Sequence, residues 1–167
     1  MLGVRCMIRS VSSADISAIT RIYNHYITDT IVTFEEQPLA PIDIEARIKD
    51  VTSTGLPWLA AEENGQVVGY AYARQWNSRC AYRLAMESTV YLHQDCTGRG
   101  LGSLLYRGLF RILQDRGIHA VIAGIALPND RSVALHEKFG MQKVAHFREV
   151  GYKFGRWIDV GYWERLL

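Results

Sequence analysis

The stretch Thr97-Gly98-Arg99-Gly100-Leu101-Gly102 places three glycines at alternate positions just before an apolar helical pattern, a combination suited to holding an anion. Glycine lets backbone N–H groups come close to a phosphate. The first turn of a helix adds N–H groups with no partner inside the helix and the positive end of the helix dipole. Arg99 either adds charge there or is solvated. No Gly-Lys-Ser/Thr follows, so this is not a Walker loop. It also lacks the earlier chain position and acidic strand-end partner of a dinucleotide fingerprint. A tight turn that simply packs a helix on a strand has the same composition, so the surroundings must decide.

Two ionisable side chains flank this stretch. Glu87 opens an apolar run and is either a surface carboxylate or a base facing a cleft. His136 falls six residues into a helical pattern; an imidazole with a reference pKa of about 6.5 can donate or accept a proton near neutrality, and it can equally pack or cap. Trp76, Asn77, Ser78, Arg79, Tyr82 and Arg83 form an aromatic and basic cluster. That composition suits a small molecule whose carboxylate an arginine grips, and it suits a solvated loop as well.

The elements that must position these groups follow from periodicity and punctuation. The pattern predicts a strand over Cys6 to Val11, then a helix from about Asp15 to Tyr26, capped by Ser12 or Ser13, with Ile16, Ile19, Ile22, Tyr23 and Tyr26 on one face. A second helix starts at Pro41, carries Ile42, Ile44 and Ile48, and ends before Gly55-Leu56-Pro57. Trp58 to Glu63 and Gln66 to Arg74 flank Asn64-Gly65 and read as a hairpin. Strands over Ser88 to Leu92 and Ala120 to Leu127 enclose a helix from about Leu101 to Arg116, with Leu101, Leu104, Leu105, Leu109 and Ile112 inward. A short helix from Asp130 to Phe139 and two closing strands, Gln142 to Val150 and Trp157 to Leu166, complete the chain. The order is β-α-α-β-β-β-α-β-α-β-β, a mixed α/β fold.

Composition narrows the function classes. The 167 residues fit one domain, 1–167, with 49% hydrophobic and 22% charged residues and no apolar run near the ~20 needed to span a bilayer. A soluble protein with no membrane role is expected. Met1 to Ser10 has no leader pattern, which makes the cytoplasm the expected compartment. Cys6, Cys80 and Cys96 are odd in number, far apart and without a CxxC pair. That argues against a disulfide framework or a zinc site, and each cysteine reads as a small buried hydrophobe. No metal is expected. A net charge of +2 is too small for a nucleic-acid surface.

Taken together, the residues resemble the GNAT acetyltransferase superfamily, whose acetyl-CoA loop reads Gln/Arg-x-x-Gly-x-Gly/Ala; Gly100 and Gly102 match its two small positions. Within it, several segments are similar to phosphinothricin and methionine sulfoximine acetyltransferases. They are Glu87-Ser88-Thr89-Val90-Tyr91, Leu127-Pro128-Asn129-Asp130, His136-Glu137-Lys138-Phe139-Gly140, Gly151 to Val160 and Ile22-Tyr23-Asn24-His25-Tyr26. One departure is Thr97 at the usual Gln/Arg position, which removes one side-chain contact from a cradle built mostly of backbone N–H groups.

The resemblance implies a GNAT-like acyl-CoA N-acyltransferase fold with acetyl-CoA as cosubstrate. Thr97, Gly98, Arg99, Gly100, Leu101, Gly102 and Asn129 would hold the cosubstrate. A backbone N–H on the strand Val90, Tyr91 and Leu92, freed by a bulge, would meet the oxyanion. Tyr91 itself is read first as packing. Amide formation from a thioester needs a neutral amine and a proton for the leaving thiolate. Glu87 is implied as the base, and His136 as acid for the thiolate, base for the amine, or orienter of substrate. Substrate contacts are implied at Trp76, Asn77, Ser78, Glu87 and Ser88, with Arg74 and Arg83 as carboxylate partners and Phe34 and Glu35 covering the pocket.

The expected acceptor is a small amino-acid-like amine such as methionine sulfoximine, methionine sulfone or phosphinothricin, and the expected assembly a homodimer. Acetylation of a peptide N-terminus, a lysine or an aminoglycoside, and a CoA-binding regulatory module without turnover, are the competing readings.

Overall fold

The computed structural model describes residues 6–167; the leader reading of residues 1–5 lies outside them. Seven strands form one sheet in the order β1-β2-β3-β4-β5-β7-β6. They are β1 (Met7–Ser10), β2 (Trp58–Glu63), β3 (Gln66–Gln75), β4 (Ala85–Leu92), β5 (Ala120–Leu127), β6 (Gln142–Lys153) and β7 (Arg156–Leu166). The helices are α1 (Ile16–Asp29), α2 (Pro41–Ser53), α3 (Leu101–Asp115) and α4 (Asp130–Lys138). The expected element order is observed. Among the described residues no helix is long and apolar enough to cross a membrane.

Alternation along the central strands divides the core in two. Trp58 of β2 and Tyr70 of β3 face α1 and α2, meeting Ile19, Ile22, Tyr23, Ile27 and Ile44. Leu59, Ala61, Ala71 and Ala73 face the other way, toward Leu105, Leu109 and Leu113 of α3. The small residues on β3 let α3 lie close to the sheet.

Two packing expectations need correction, for Leu104 and Cys80, and Ile42, read only as part of a helix signal, also lies outside the core. Leu104 and Ile42 are exposed. Ile42 lies two residues from Ile44, on the far side of its helix. The buried face of α3 is rotated toward Tyr106, Phe110 and Leu113 because Phe139, at the end of α4, packs edge-on against Tyr106 and Phe110. Cys80 is exposed rather than buried, while Cys6 and Cys96 are half-buried.

One feature of the sheet makes the site. Neighbouring strands are antiparallel except β4 and β5, which α3 connects as a parallel pair. That pairing covers only Ala85–Ala120, Met86–Val121 and Glu87–Ile122, and beyond Glu87 the strands part. The β3–β4 register runs unshifted from Gln75–Met86 to Gly69–Leu92, so the splay arises without the expected bulge on that side.

Candidate active site

The splay leaves one edge of β4 unpaired. Ala85 and His93 bond to β3, through the Ala85 carbonyl to Trp76 N–H and the His93 N–H to the Val68 carbonyl. Residues of that parity in an antiparallel ladder face β3, and the intervening ones face away. Val90 and Leu92 therefore turn their N–H groups into the opening beyond Glu87. Tyr26 of α1 closes the far end by donating to the Leu92 carbonyl at 2.7 Å.

Beside this edge runs a groove of about 630 Å³ lined by Thr97, Gly98, Gly100, Gly102, Asn129 and Arg131, among others. Gly100 is the N-cap of α3 with φ +83°, and Gly98 has φ +74°, left-handed conformations open to glycine at little cost. A Cβ at either would meet nothing within 4 Å, so the loop faces open space. The first intrahelical bond of α3 is Leu104 N–H to the Gly100 carbonyl, which leaves the N–H groups of Leu101, Gly102 and Ser103 free at the helix start. The lining contains Arg131 and Lys138 and neither aspartate nor glutamate. These features fit the pyrophosphate of a coenzyme A thioester.

The side chains of two loop residues take no part in the groove lining. Arg99 turns away to pair with Glu63 at 2.8 Å, and Leu101 is buried in the core. Thr97 accepts a hydrogen bond from Arg131 at 3.0 Å. A guanidinium from α4 thus stands beside the position where relatives of the resembled pattern carry Gln or Arg. Replacing Arg131 by Ala is expected to raise the KM for acetyl-CoA about 3–10-fold, more so at low salt, with kcat nearly unchanged; initial rates at two ionic strengths check this.

A second cavity of about 920 Å³ adjoins the groove, the two sharing Val32, Val90, Asn129 and Ser132. Glu87, Ser88, Tyr91 and His136 all border it, so the two expected catalytic residues are brought together. Glu87 is the last β4 residue paired on both sides. Its Oε2 accepts from Arg74, its cross-strand neighbour, at 2.6 Å. Its Oε1 has no hydrogen-bond partner among the described residues and remains available to a ligand.

His136 is 3% exposed. Its Nδ1 lies 2.7 Å from the Ser132 carbonyl, which can only accept, so Nδ1 carries the hydrogen. Nε2 then accepts from the Tyr106 hydroxyl at 2.7 Å, and Ser88 Oγ sits 3.4 Å from the same hydroxyl. Burial pushes the His136 pKa down, outweighing the bond to Ser132, and pushes that of Tyr106 up. Both are neutral at pH 7. As the ring nitrogens are already engaged, this geometry favours His136 as the orienter of Tyr106. Tyr106 is sealed from solvent yet borders the cavity.

Trp76, Asn77 and Ser78 lie outside this cavity. Trp76 packs edge-on against Tyr162 at 5.6 Å, and Asn77 Oδ1 accepts from Arg79 N–H. Arg83 lines a separate neighbouring cavity. The walls come instead from Tyr23, Thr33, Phe34, Glu35, Arg47 and Tyr72. Tyr91 packs edge-on against Tyr23 and at a tilt against Tyr26 and Tyr70, the packing role read for it. Asn129 caps α4 by accepting from Ser132 N–H at 3.2 Å and keeps its amide donors free.

The segment 30–40 covers one side, as expected for Phe34 and Glu35. Tyr23 shares a hydrogen bond with Thr33, Asn24 bonds both backbone groups of Leu39, and Arg47 pairs with Glu35. Phe34 lies so close to Gly151 that a Cβ there has no room. Lys153, 2% exposed, donates to the Thr33 carbonyl at 2.7 Å and the Tyr26 carbonyl at 3.4 Å. Burial pushes its pKa below the usual lysine value.

Tyr106, Arg131 and Lys153 were not singled out from the sequence. The one available signal was chemical: a core tyrosine and a buried histidine each need a polar partner.

A splayed parallel pair, an anion-binding helix start beside the split and a carboxylate at its base define an acyl-CoA N-acyltransferase. The chain belongs to the acetyltransferase (GNAT) domain family, whose model matches residues 8–161, and it is an acetyl-CoA-dependent acetyltransferase. It is 44% identical over 161 residues to a phosphinothricin N-acetyltransferase of Streptomyces viridochromogenes, covering 95% of this chain and 86% of that one. It is 36% identical over 160 residues to an L-methionine sulfoximine/L-methionine sulfone acetyltransferase of Salmonella typhimurium, covering 96% and 94%. The structure of a phosphinothricin acetyltransferase from Sinorhizobium meliloti in complex with acetyl-CoA superposes with a TM-score of 0.94 at 32% identity, covering 97% of this chain and 88% of that one.

Proposed function

We propose that the chain is a single catalytic domain that acetylates the α-amine of a small amino-acid-like acceptor of the kind its relatives are named for: phosphinothricin, methionine sulfoximine or methionine sulfone. The observation that carries this reading is the cavity of about 920 Å³ that joins the anion groove at Val90 and Asn129 and has a free Glu87 oxygen in its wall. Its volume suits a small molecule. The covering segment 30–40 favours a free amino acid over a peptide chain.

In this reading the acetyl-CoA pyrophosphate rests on the N–H groups of Leu101, Gly102 and Ser103, with Thr97, Arg131 and the Asn129 amide beside it. The acceptor ammonium meets Glu87 Oε1, and Glu87 takes its proton. The amine nitrogen forms the amide bond as the carbon–sulfur bond breaks, and the Val90 N–H supports the oxygen that gathers charge. The ammonium sheds two protons: Glu87 passes the one it takes on to solvent, and the other goes to the departing sulfur. Ser88, Tyr106 and His136 form the hydrogen-bonded wall behind these groups, with His136 fixing the tyrosine.

The same reading makes the enzyme a homodimer. β6, the turn after it and the start of β7 leave Val144, Phe147, Val150, Tyr152, Phe154 and Trp157 more than half exposed, an apolar surface of the kind a second copy covers. Phe147, Val150 and Tyr152 also border the cavity, so pairing there would complete its rim. Three free cysteines, one exposed, agree with the reducing cytoplasm.

Release of the CoA thiol tests the substrate class. Turnover with the three tetrahedral-headed amino acids and little with short peptides supports it; turnover with peptides alone moves the acceptor class.

A further inference from the structure

A third cavity, of about 810 Å³, shares Glu35, Arg47, Tyr72 and Arg74 with the amine cavity and no lining residue with the groove. Four arginines and two acidic residues line it. Arg47 and Arg74 are paired, with Glu35 and Glu87. Arg83 and Arg116 have no carboxylate within ion-pair distance among the described residues, and reach only the main-chain carbonyls of Cys80 and Gly55.

The aromatic wall carries the second observation. Trp58, 3% exposed, stacks on Tyr72 with ring centroids 4.0 Å apart and planes 10° from parallel. Its indole N–H is buried and has no hydrogen-bond partner among the described residues. Buried donors are nearly always satisfied, so an orphaned one in a cavity wall calls for an acceptor that arrives with a ligand. Among the described residues Glu35 Oε2 is the other buried side-chain nitrogen or oxygen without a hydrogen-bond partner. Since Glu35 faces both cavities, that oxygen suits an N–H donor of the same ligand. Two guanidiniums without a carboxylate partner and an indole donor without an acceptor suit an oxyanion.

We propose that this cavity is an oxyanion subsite for the acceptor, taking an acidic side-chain head that Arg83, Arg116 and the Trp58 indole N–H hold while the amine reaches Glu87. The subsite rests on the amine-acetylation reading of the neighbouring cavity, and it makes the enzyme selective for acceptors with a second acidic group.

The test is a matched pair: phosphinothricin, with an anionic phosphinate head, and methionine sulfone, with an uncharged tetrahedral head. In Arg83→Gln, kcat/KM for phosphinothricin falls about 10–100-fold, the range for losing a charge-assisted contact, and that for methionine sulfone stays within about twofold. Trp58→Phe keeps an aromatic ring and loses the N–H, and raises the phosphinothricin KM about 5–10-fold. Equal losses for both acceptors in Arg83→Gln, or none for either, overturn the proposal. Calorimetry with inorganic phosphate, on enzyme saturated with CoA so that the groove is filled, reads the subsite without turnover. Phosphate binding that weakens at least about tenfold in Arg83→Gln supports it; no binding, or binding indifferent to Arg83, sinks it. If neither amine is acetylated while Arg83-dependent phosphate binding persists, the acetylation reading fails and the subsite stands.

Discussion

Glu87→Gln is expected to lower kcat about 10²–10³-fold while leaving the KM for acetyl-CoA within about twofold, the loss typical of removing a positioned general base. Glu87 is the last β4 residue held by both neighbouring strands, opposite Arg74 on one side and Ile122 on the other. Its carboxylate is therefore fixed at the point where the sheet opens. Arg74 occupies one oxygen at 2.6 Å and orients the other toward the cavity. Glutamine keeps the shape and loses the ability to take a proton, so the change falls on turnover. Single-turnover rates with acetyl-CoA preloaded separate chemistry from binding, and a rate close to wild type would remove Glu87 as the base.

Lys153→Met should act on the acceptor side instead. The methionine keeps most of the stem but leaves the Thr33 carbonyl, and in part the Tyr26 carbonyl, without the ammonium that now satisfies them. A lost charged donor to a buried acceptor costs about 1.5–3 kcal/mol, so denaturant unfolding should show a loss of about 2 kcal/mol. Segment 30–40 is held by other contacts as well, so it loosens rather than detaches. The expected kinetic result is an acceptor KM about tenfold higher, with the acetyl-CoA KM little changed because the groove on the far side of Val90 does not touch Lys153. Equal increases in both KM values would mean general unfolding rather than loss of a local pin.

Much of this architecture is legible in the residues, for local physical reasons. Asn64-Gly65 sits at φ +51° and +76° in the β2–β3 turn, the left-handed angles that this pair tolerates best. Gly100 stands at the start of α3 as its type and position predict. β4 begins three residues earlier than expected because Ala85, Met86 and Glu87 carry no β-branched signal and are made a strand by their neighbours on both sides.

The rest depends on contacts far apart in the chain. Tyr106 and His136 are thirty residues apart and meet only when α4 packs against α3; on its own helix Tyr106 is one more apolar-face residue. The cluster from Trp76 to Arg83 suits a substrate wall and a solvated loop alike by composition, and Trp76, Asn77 and Ser78 are not among the residues lining the amine cavity. Arg131 beside Thr97 is a compensation between two elements, and no single-position reading of the loop contains it.

The most direct test of the central claim is to incubate the enzyme with acetyl-CoA and methionine sulfone or phosphinothricin, and to identify the product by mass spectrometry and NMR against the CoA thiol released. The account predicts one acetyl group on the α-nitrogen for each thiol. Thiol release without an N-acetylated amino acid, or acetyl found on another molecule only, would contradict it.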